Sequence, residues 1–279
     1  MNTIKVGQTN SLTVVKEVAF GVYLDGGELG EILLPSKVVP AGTSIDDVVK
    51  VFIYHDSKDK LIATTKRPLA SIGEFVFLKV VDTSRFGAFL DWGLDKDLLV
   101  PAPEQRRPMQ VDQFYLVYLK LDGVGRVVGS SKVDRFLDKT PSKLKVRDRI
   151  SMTIAESSPL GTKVIINNSH WGLLHSNDTF KSFQYGQKVQ GYVKTIRADG
   201  KIDVIAGKLG QDRIAELAKA ILVELNKRDG FIALHDKSSS DEIKRVFKES
   251  KKSFKNAISQ LYKSKEILIE DGGIRLVKK

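Results

Sequence analysis

The residues that most often do covalent or metal chemistry are sparse in this chain of 279 residues. There is no Cys, which removes disulfides, thiolate nucleophiles and Cys-bound zinc together. The four histidines are His55, His170, His175 and His235, and only His170 and His175 are near each other. Their spacing of five, in "SHWGLLH", is not a usual metal pair, so no metal site is expected. A serine nucleophile would need a histidine and an acid beside it, and the sequence brings no such set together. "DGVGRVVG" lacks the Lys-Ser/Thr that would cradle a nucleotide phosphate. Asp95 and Asp97 read as turn residues. These absences point away from an enzyme, and no catalytic residue or cofactor is expected.

The charge pattern points instead to a polyanion. The net charge is +11, but residues 1–138 sum to −1 and residues 139–279 to +12. A basic half is a candidate surface for nucleic acid, and its plainer role is solubility. No apolar run approaches the ~20 residues of a membrane helix, and "MNTIKVGQTN" does not read as a signal peptide. With no Cys, the expectation is a cytoplasmic protein with no membrane partner.

The elements that must carry these charges are repeated. "FGVYLDGG" (20–27) and "FGAFLDWG" (86–93) lie 66 residues apart, and sliding residues 7–66 onto 73–132 without a gap gives fifteen identities in sixty positions. The matches include Gly7/Gly73, Pro35/Pro101, Asp56/Asp122 and Lys66/Lys132, and Lys60 matches Arg126 in charge. A match that covers glycines, a proline and alternating apolar residues indicates a duplicated unit. A more diverged third copy follows at a spacing of 74, with Gly161 under Gly87, "GLLH" (172–175) under "LLVP" and Arg147 where the others have Gly. Each unit alternates apolar and polar residues and is rich in Val, Phe and Tyr, which predicts about five short strands and a small closed barrel. The mid-strand Gly of "FGAF" fits a bulge or bend. The Asp-Gly of "LDGVG" fits a tight turn.

The last seventy residues change period. "QDRIAELAKAILVELNKRDG" places Ile214, Leu217, Ala218, Ile221, Leu222 and Leu225 on one helical face and stops at Gly230. "SSSDEIKRVFKES" is a capped short helix, and "SKKSFKNAISQLYKSK" a third helix with Phe254, Ala257, Ile258 and Leu261 inward. "EILIEDGGIRLVKK" reads as a hairpin.

The first two units, with "FGaF" and their late strand pairs, resemble the S1 RNA-binding domain, an OB-fold. The third keeps "GLLH" but has "LGTK" (160–163) in place of the aromatics. Three helices and a hairpin resemble a winged helix. The order of modules resembles the conserved virulence factor B family of bacterial proteins. The expected fold is therefore multi-domain and mainly β with a C-terminal α/β module: S1-like OB barrels over 1–68, 69–138 and 139–209, then a winged helix over 210–279.

What the S1 resemblance implies is base stacking on exposed aromatics at Phe20, Tyr23, Phe86 and Phe89, supported by basic residues of the late hairpin, Lys60 and Arg126. Whether one ring of each pair is instead buried or covered by a neighbour stays open. In the third unit the candidates are Lys163, Trp171, His175 and Lys201, with no Asp matching Asp56 and Asp122. The third unit also has Phe180, Phe183 and Tyr185 nearby, and Trp171 reads as a packing residue. On the winged helix the candidates are Lys251, Lys252, Lys255 and Lys263, although such a run is also an ordinary solvated face. The family implies a non-catalytic, RNA-binding cytoplasmic regulator, and stacking on free base faces points to single-stranded or locally unpaired RNA. The alternatives are a winged-helix-led DNA-binding regulator and a protein-binding scaffold. The segment around Pro141 reads as a linker.

Overall fold

The computed structural model describes residues 4–140, 143–176, 182–207 and 210–277. Pro141 and Phe180 lie outside them. The chain divides into two units, Met1–Leu137 and Asp138–Lys279.

Unit one begins with a closed barrel of β1 (Thr9–Val18), β2 (Gly21–Asp25), β3 (Glu31–Pro35), β4 (Val48–His55) and β5 (Leu61–Thr64), in the order β1-β2-β3-β5-β4. Alternation sends Leu12, Val14, Val22, Leu24, Ile32 and Leu34 inward, and all are buried. Each such side chain contributes about 1.5–3 kcal/mol of burial. The second copy is β6 (Phe75–Ser84), β7 (Gly87–Asp91), β8 (Leu98–Pro101), β9 (Phe114–Leu121) and β10 (Val127–Ser130), in the order β10-β9-β6-β7-β8. The first barrel closes through a parallel β3–β5 pair at Leu33 and Ile62. The second has no matching β8–β10 ladder. There Gly129 lies so close to β8 that a Cβ would stand 2.8 Å from Val100 Cγ2.

The two barrels share a core. Trp92 is buried against Phe52 and Tyr54 of the first barrel, edge-to-face at 5.7 and 6.1 Å. The Leu69 N–H donates to the Trp92 carbonyl and the Ile72 N–H to that of Gly7. Asp95 accepts from both Lys37 and Lys66, and these hydrogen bonds hold its carboxyl below the usual aspartate range.

Unit two begins with a closed barrel of β11 (Arg149–Ser158), β12 (Gly161–Ile166), β13 (His170–His175), β14 (Lys188–Ile196) and β15 (Ile202–Ala206). Phe183 packs against its core. Arg147 takes φ 76°, the left-handed conformation of Gly7 (74°) and Gly73 (89°), so the third copy keeps the turn without its glycine. The C-terminal module is α1 (Gly210–Lys227), β16 (Phe231–Ile232), α2 (Ser240–Phe247), α3 (Lys251–Lys263), β17 (Ile267–Glu270) and β18 (Gly273–Leu276). Leu217, Ala218, Ile221 and Leu225 meet Ile243, Phe254, Ile258 and Leu261 in one core. Ser239 and Glu242 form a capping box on α2. The two-residue β16 pairs with β18 and is too short to leave a sequence signal.

One local expectation is corrected. The bulge is not at the glycine of "FGAF" but on the partner strand, where register shifts between Val14/Lys16, Val80/Asp82 and Ile154/Glu156. Gly21, Gly87 and Gly161 are required because a Cβ on each would lie 2.2 Å from the carbonyl oxygen of Leu34, Val100 or Leu174. The late turn of the second barrel is the expected tight turn, in which the Gly125 N–H donates to the Asp122 carbonyl. Asp122 Oδ1 accepts from the Val124 and Arg126 N–H groups, and Gly125 takes the positive φ.

Among the described residues, no helix is long and apolar enough to cross a membrane, and no group of three or more His, Asp or Glu is placed to hold a metal ion.

Candidate nucleic-acid interface

The three hairpins after the bulged strands present the same positions with different chemistry. Because the glycine abuts a neighbouring carbonyl, the residue before it turns outward: Phe20, Phe86 and Leu160 are 57%, 63% and 67% exposed. Two residues after the glycine stand Tyr23 and Phe89, both half-buried, and the exposed Lys163. Phe20 and Tyr23 meet edge-on at 6.4 Å. Lys16 lies 5.8 Å from the Tyr23 ring centre and Arg85 4.7 Å from that of Phe86. Each of the first two barrels thus shows one open aromatic face and one partly covered, with a cation against one of them.

The late hairpins divide. Lys60 is exposed, and among the described residues it has no carboxylate partner, while Asp56 Oδ1 accepts from the N–H groups of Lys58 and Lys60. Arg126 is committed: its Nε donates to Asp122 at 2.9 Å and its Nη1 to Asp59 of the first barrel at 3.1 Å. Lys96 Nζ joins the same junction through the Asp56 carbonyl. Burial works to raise the Asp59 carboxyl, but hydrogen bonds from Arg126 and Lys96 outweigh it and bring it below its usual value. At the same junction burial, then the Lys96 charge, lowers His55, whose Nδ1 is buried without a hydrogen-bond partner. Arg126 therefore ties two barrels together.

The third barrel holds a cluster that spacing alone does not reveal. Arg197 stands where Asp56 and Asp122 stand, and it donates from Nε and Nη2 to both oxygens of Asp203 at 2.9 and 2.7 Å. His175 Nε2 lies 2.9 Å from Asp203 Oδ1 and 3.1 Å from Arg197 Nη2. Burial would raise the Asp203 carboxyl, but Arg197 and then His175 bring it below its usual value. An aspartate is thus present, on β15 at the position of Ile62 and Val128, and not at the position of Asp56 and Asp122. Lys201 pairs with Asp199 at 2.8 Å. Lys163 reaches Glu156 at 3.4 Å and lies 5.9 Å from the ring centre of half-buried Trp171.

On α3, Lys252, Lys255 and Lys263 are exposed and, among the described residues, face no carboxylate. Lys251 is half-buried, and its Nζ donates to the Lys237 carbonyl. The β17–β18 turn carries Asp271, and Arg275 is held by Glu270 at 2.9 Å over the Phe231 ring.

These modules match known proteins. A model of the S1 domain matches residues 6–66, and one of the CvfB-like winged helix domain matches residues 219–276. Both modules support nucleic-acid binding. A crystal structure of a multidomain protein with nucleic acid binding domains from Streptococcus pneumoniae TIGR4 is 24% identical, covers 98% of each chain and superposes with a TM-score of 0.42. Uncharacterized protein YitL of Bacillus subtilis is 29% identical over 97% of this chain and 93% of its own. Conserved virulence factor B of Staphylococcus aureus USA300 is 30% identical over 98% of this chain and 95% of its own. With that identity along nearly the whole length of both proteins, the chain belongs to the conserved virulence factor B family.

Proposed function

We propose that this protein is a non-catalytic, cytoplasmic post-transcriptional regulator that binds single-stranded RNA. The observation that carries the reading is the duplicated hairpin surface, Phe20 beside Tyr23 and Phe86 with Phe89, each with an open ring and a nearby cation. Flat exposed rings accept the face of any unpaired base, and duplex nucleic acid hides those faces. The basic second half supplies phosphate attraction.

The test is a titration of the intact protein with homopolymer RNA, single-stranded DNA and duplex DNA. Single strands should bind more tightly than duplex, with modest differences among bases. Phe89→Ala should weaken single-strand binding by ~1–3 kcal/mol with the protein still folded. A thousandfold spread among homopolymers of equal length would argue for base-edge readout instead of stacking. Lys252, Lys255 and Lys263 on the outer side of α3 favour a second reading, a DNA-binding regulator, and tighter binding to duplex DNA than to single strands would establish it.

A further inference from the structure

Beside each of the first two aromatic hairpins lies a groove, closed on its far side by the segment that follows the third strand of the barrel. In the first barrel it is 410 Å³ and is lined by Glu17, Val18, Ala19 and Val39. In the second it is 340 Å³ and is lined by Thr83, Ser84, Gln105, Arg106 and Arg107. The 66-residue offset makes these the same place in the fold: Glu17 stands under Thr83, Ala19 under Arg85, and Pro40-Ala41 under Arg106-Arg107. One concavity is built twice, its lining without a cation in the first barrel and with two arginines, Arg106 and Arg107, in the second.

The second groove is held in shape. Gln105 Nε2 donates to the Val100 carbonyl while its Oε1 accepts from the Met109 N–H, and the Arg106 N–H donates to Ser131 Oγ. The Met109 side chain is buried and anchors the end of the segment. On this fixed backbone Arg106 and Arg107 are exposed, and among the described residues neither has a carboxylate partner. The nearby Glu104 is already taken by Lys120 at 2.6 Å. Arg107 leans toward Tyr115, 5.7 Å from its ring centre. Guanidinium groups on a hydrogen-bonded segment, with no carboxylate partner, suit the planar oxygen edge of a phosphate. Barrel two as a whole is slightly acidic, so these arginines are a local concentration and not part of the general basic excess.

We propose that this groove holds the phosphodiester backbone of a single strand whose base stacks on Phe86, with Arg106 and Arg107 as phosphate contacts that barrel one lacks. The proposal rests on the single-strand reading above and assigns a site to it. The test uses the full chain and a fluorescent oligouridylate of about 12 nucleotides, within the ~4–16 nucleotides one OB fold accommodates. Binding is measured across a fourfold range of salt for wild type, Phe86→Ala and the double variant Arg106→Gln/Arg107→Gln, with melting temperatures as the control for folding. Two lost phosphate contacts should make the log–log salt slope shallower by about 1.4, at roughly 0.7 per contact, while Phe86→Ala leaves the slope unchanged. If Phe86→Ala weakens binding but the arginine variant keeps both affinity and slope, the groove assignment is wrong and the stacking reading stands. If wild type binds no single strand, both fall. Inorganic phosphate serves as a further arm. Should it protect the groove against melting as well as the oligonucleotide does, through Arg106 and Arg107, the ligand would be a free anion and the strand assignment would be overturned.

Discussion

The second and third barrels fold alike and use equivalent positions for opposite purposes. In the second, the hairpin shows Phe86 and Phe89, and the late arginine, Arg126, is spent on Asp122 and on Asp59 of the neighbouring barrel. In the third, the hairpin shows Leu160 and Lys163, and the space beside it is filled by Arg197, Asp203 and His175. One surface offers flat apolar faces, and the other offers charge with its own counter-charge already bound. The scaffold constrains only what the barrel needs: a glycine where a carbonyl crowds the chain, and apolar residues inward. Everything outward is free to change, so equivalence of position does not carry equivalence of role.

The comparison breaks most visibly if the inter-barrel core is removed. Trp92→Ala should cost about 3–5 kcal/mol, because it empties a buried site lined by aromatic rings of another barrel. Chemical denaturation should show unit one losing that stability, and a loss below about 1 kcal/mol would mean that the barrels are merely adjacent.

A smaller effect separates the ionic barrel. Asp203→Asn should destabilise unit two by about 1 kcal/mol at neutral pH, discounted because Arg197 and His175 both reach solvent. The sign of its pH dependence follows from the lowered Asp203 carboxyl. The stabilisation is fully present above the ordinary aspartate value of about 4, and is lost as pH falls through the lower folded value. Wild type and variant should therefore converge on acidification. A gap that widens would refute the ion-pair origin.

The smallest stability change belongs to Lys163→Gln, whose exposed pair with Glu156 is worth roughly 0–1 kcal/mol. Its diagnostic value lies in binding, where the salt slope should become shallower by about 0.7 if Lys163 meets a phosphate. An unchanged slope would place the third barrel outside the binding surface.

Much of the architecture was legible because it rests on local rules. The 66-residue match, the alternation of Leu12-Thr13-Val14 and the 3.6-residue period of Leu217, Ile221 and Leu225 each report on their own element. What was not legible depends on partners far away in sequence. Nothing near Arg126 announces Asp59, 67 residues earlier. The Arg197–Asp203–His175 cluster spans two hairpins, and matching by position looked for an aspartate where the arginine stands. A signal exists only after a one-residue shift from the spacing of 74, which sets Asp203 at the position of Ile62 and Val128 and Arg197 at that of Asp56 and Asp122. Trp92 gave a similar sign, being the second copy's replacement for Gly26 in an otherwise matching "LDxG". A pair of charge changes, or a large ring in place of a glycine, marks where a repeated unit has found a new neighbour.

The shared aromatic core also sets a timetable. Phe52 and Tyr54 are buried in a cluster that includes Trp92 and Leu94, which the ribosome makes only later. From the end of β5 at Thr64 to the end of β10 at Ser130, 66 more residues must be synthesised before the covering barrel is complete. At ~5–20 residues per second the wait is about 3–13 seconds. During that interval the nascent first barrel carries two uncovered aromatic side chains in place of a finished surface, and it is most exposed to chaperones and to misassembly with another chain.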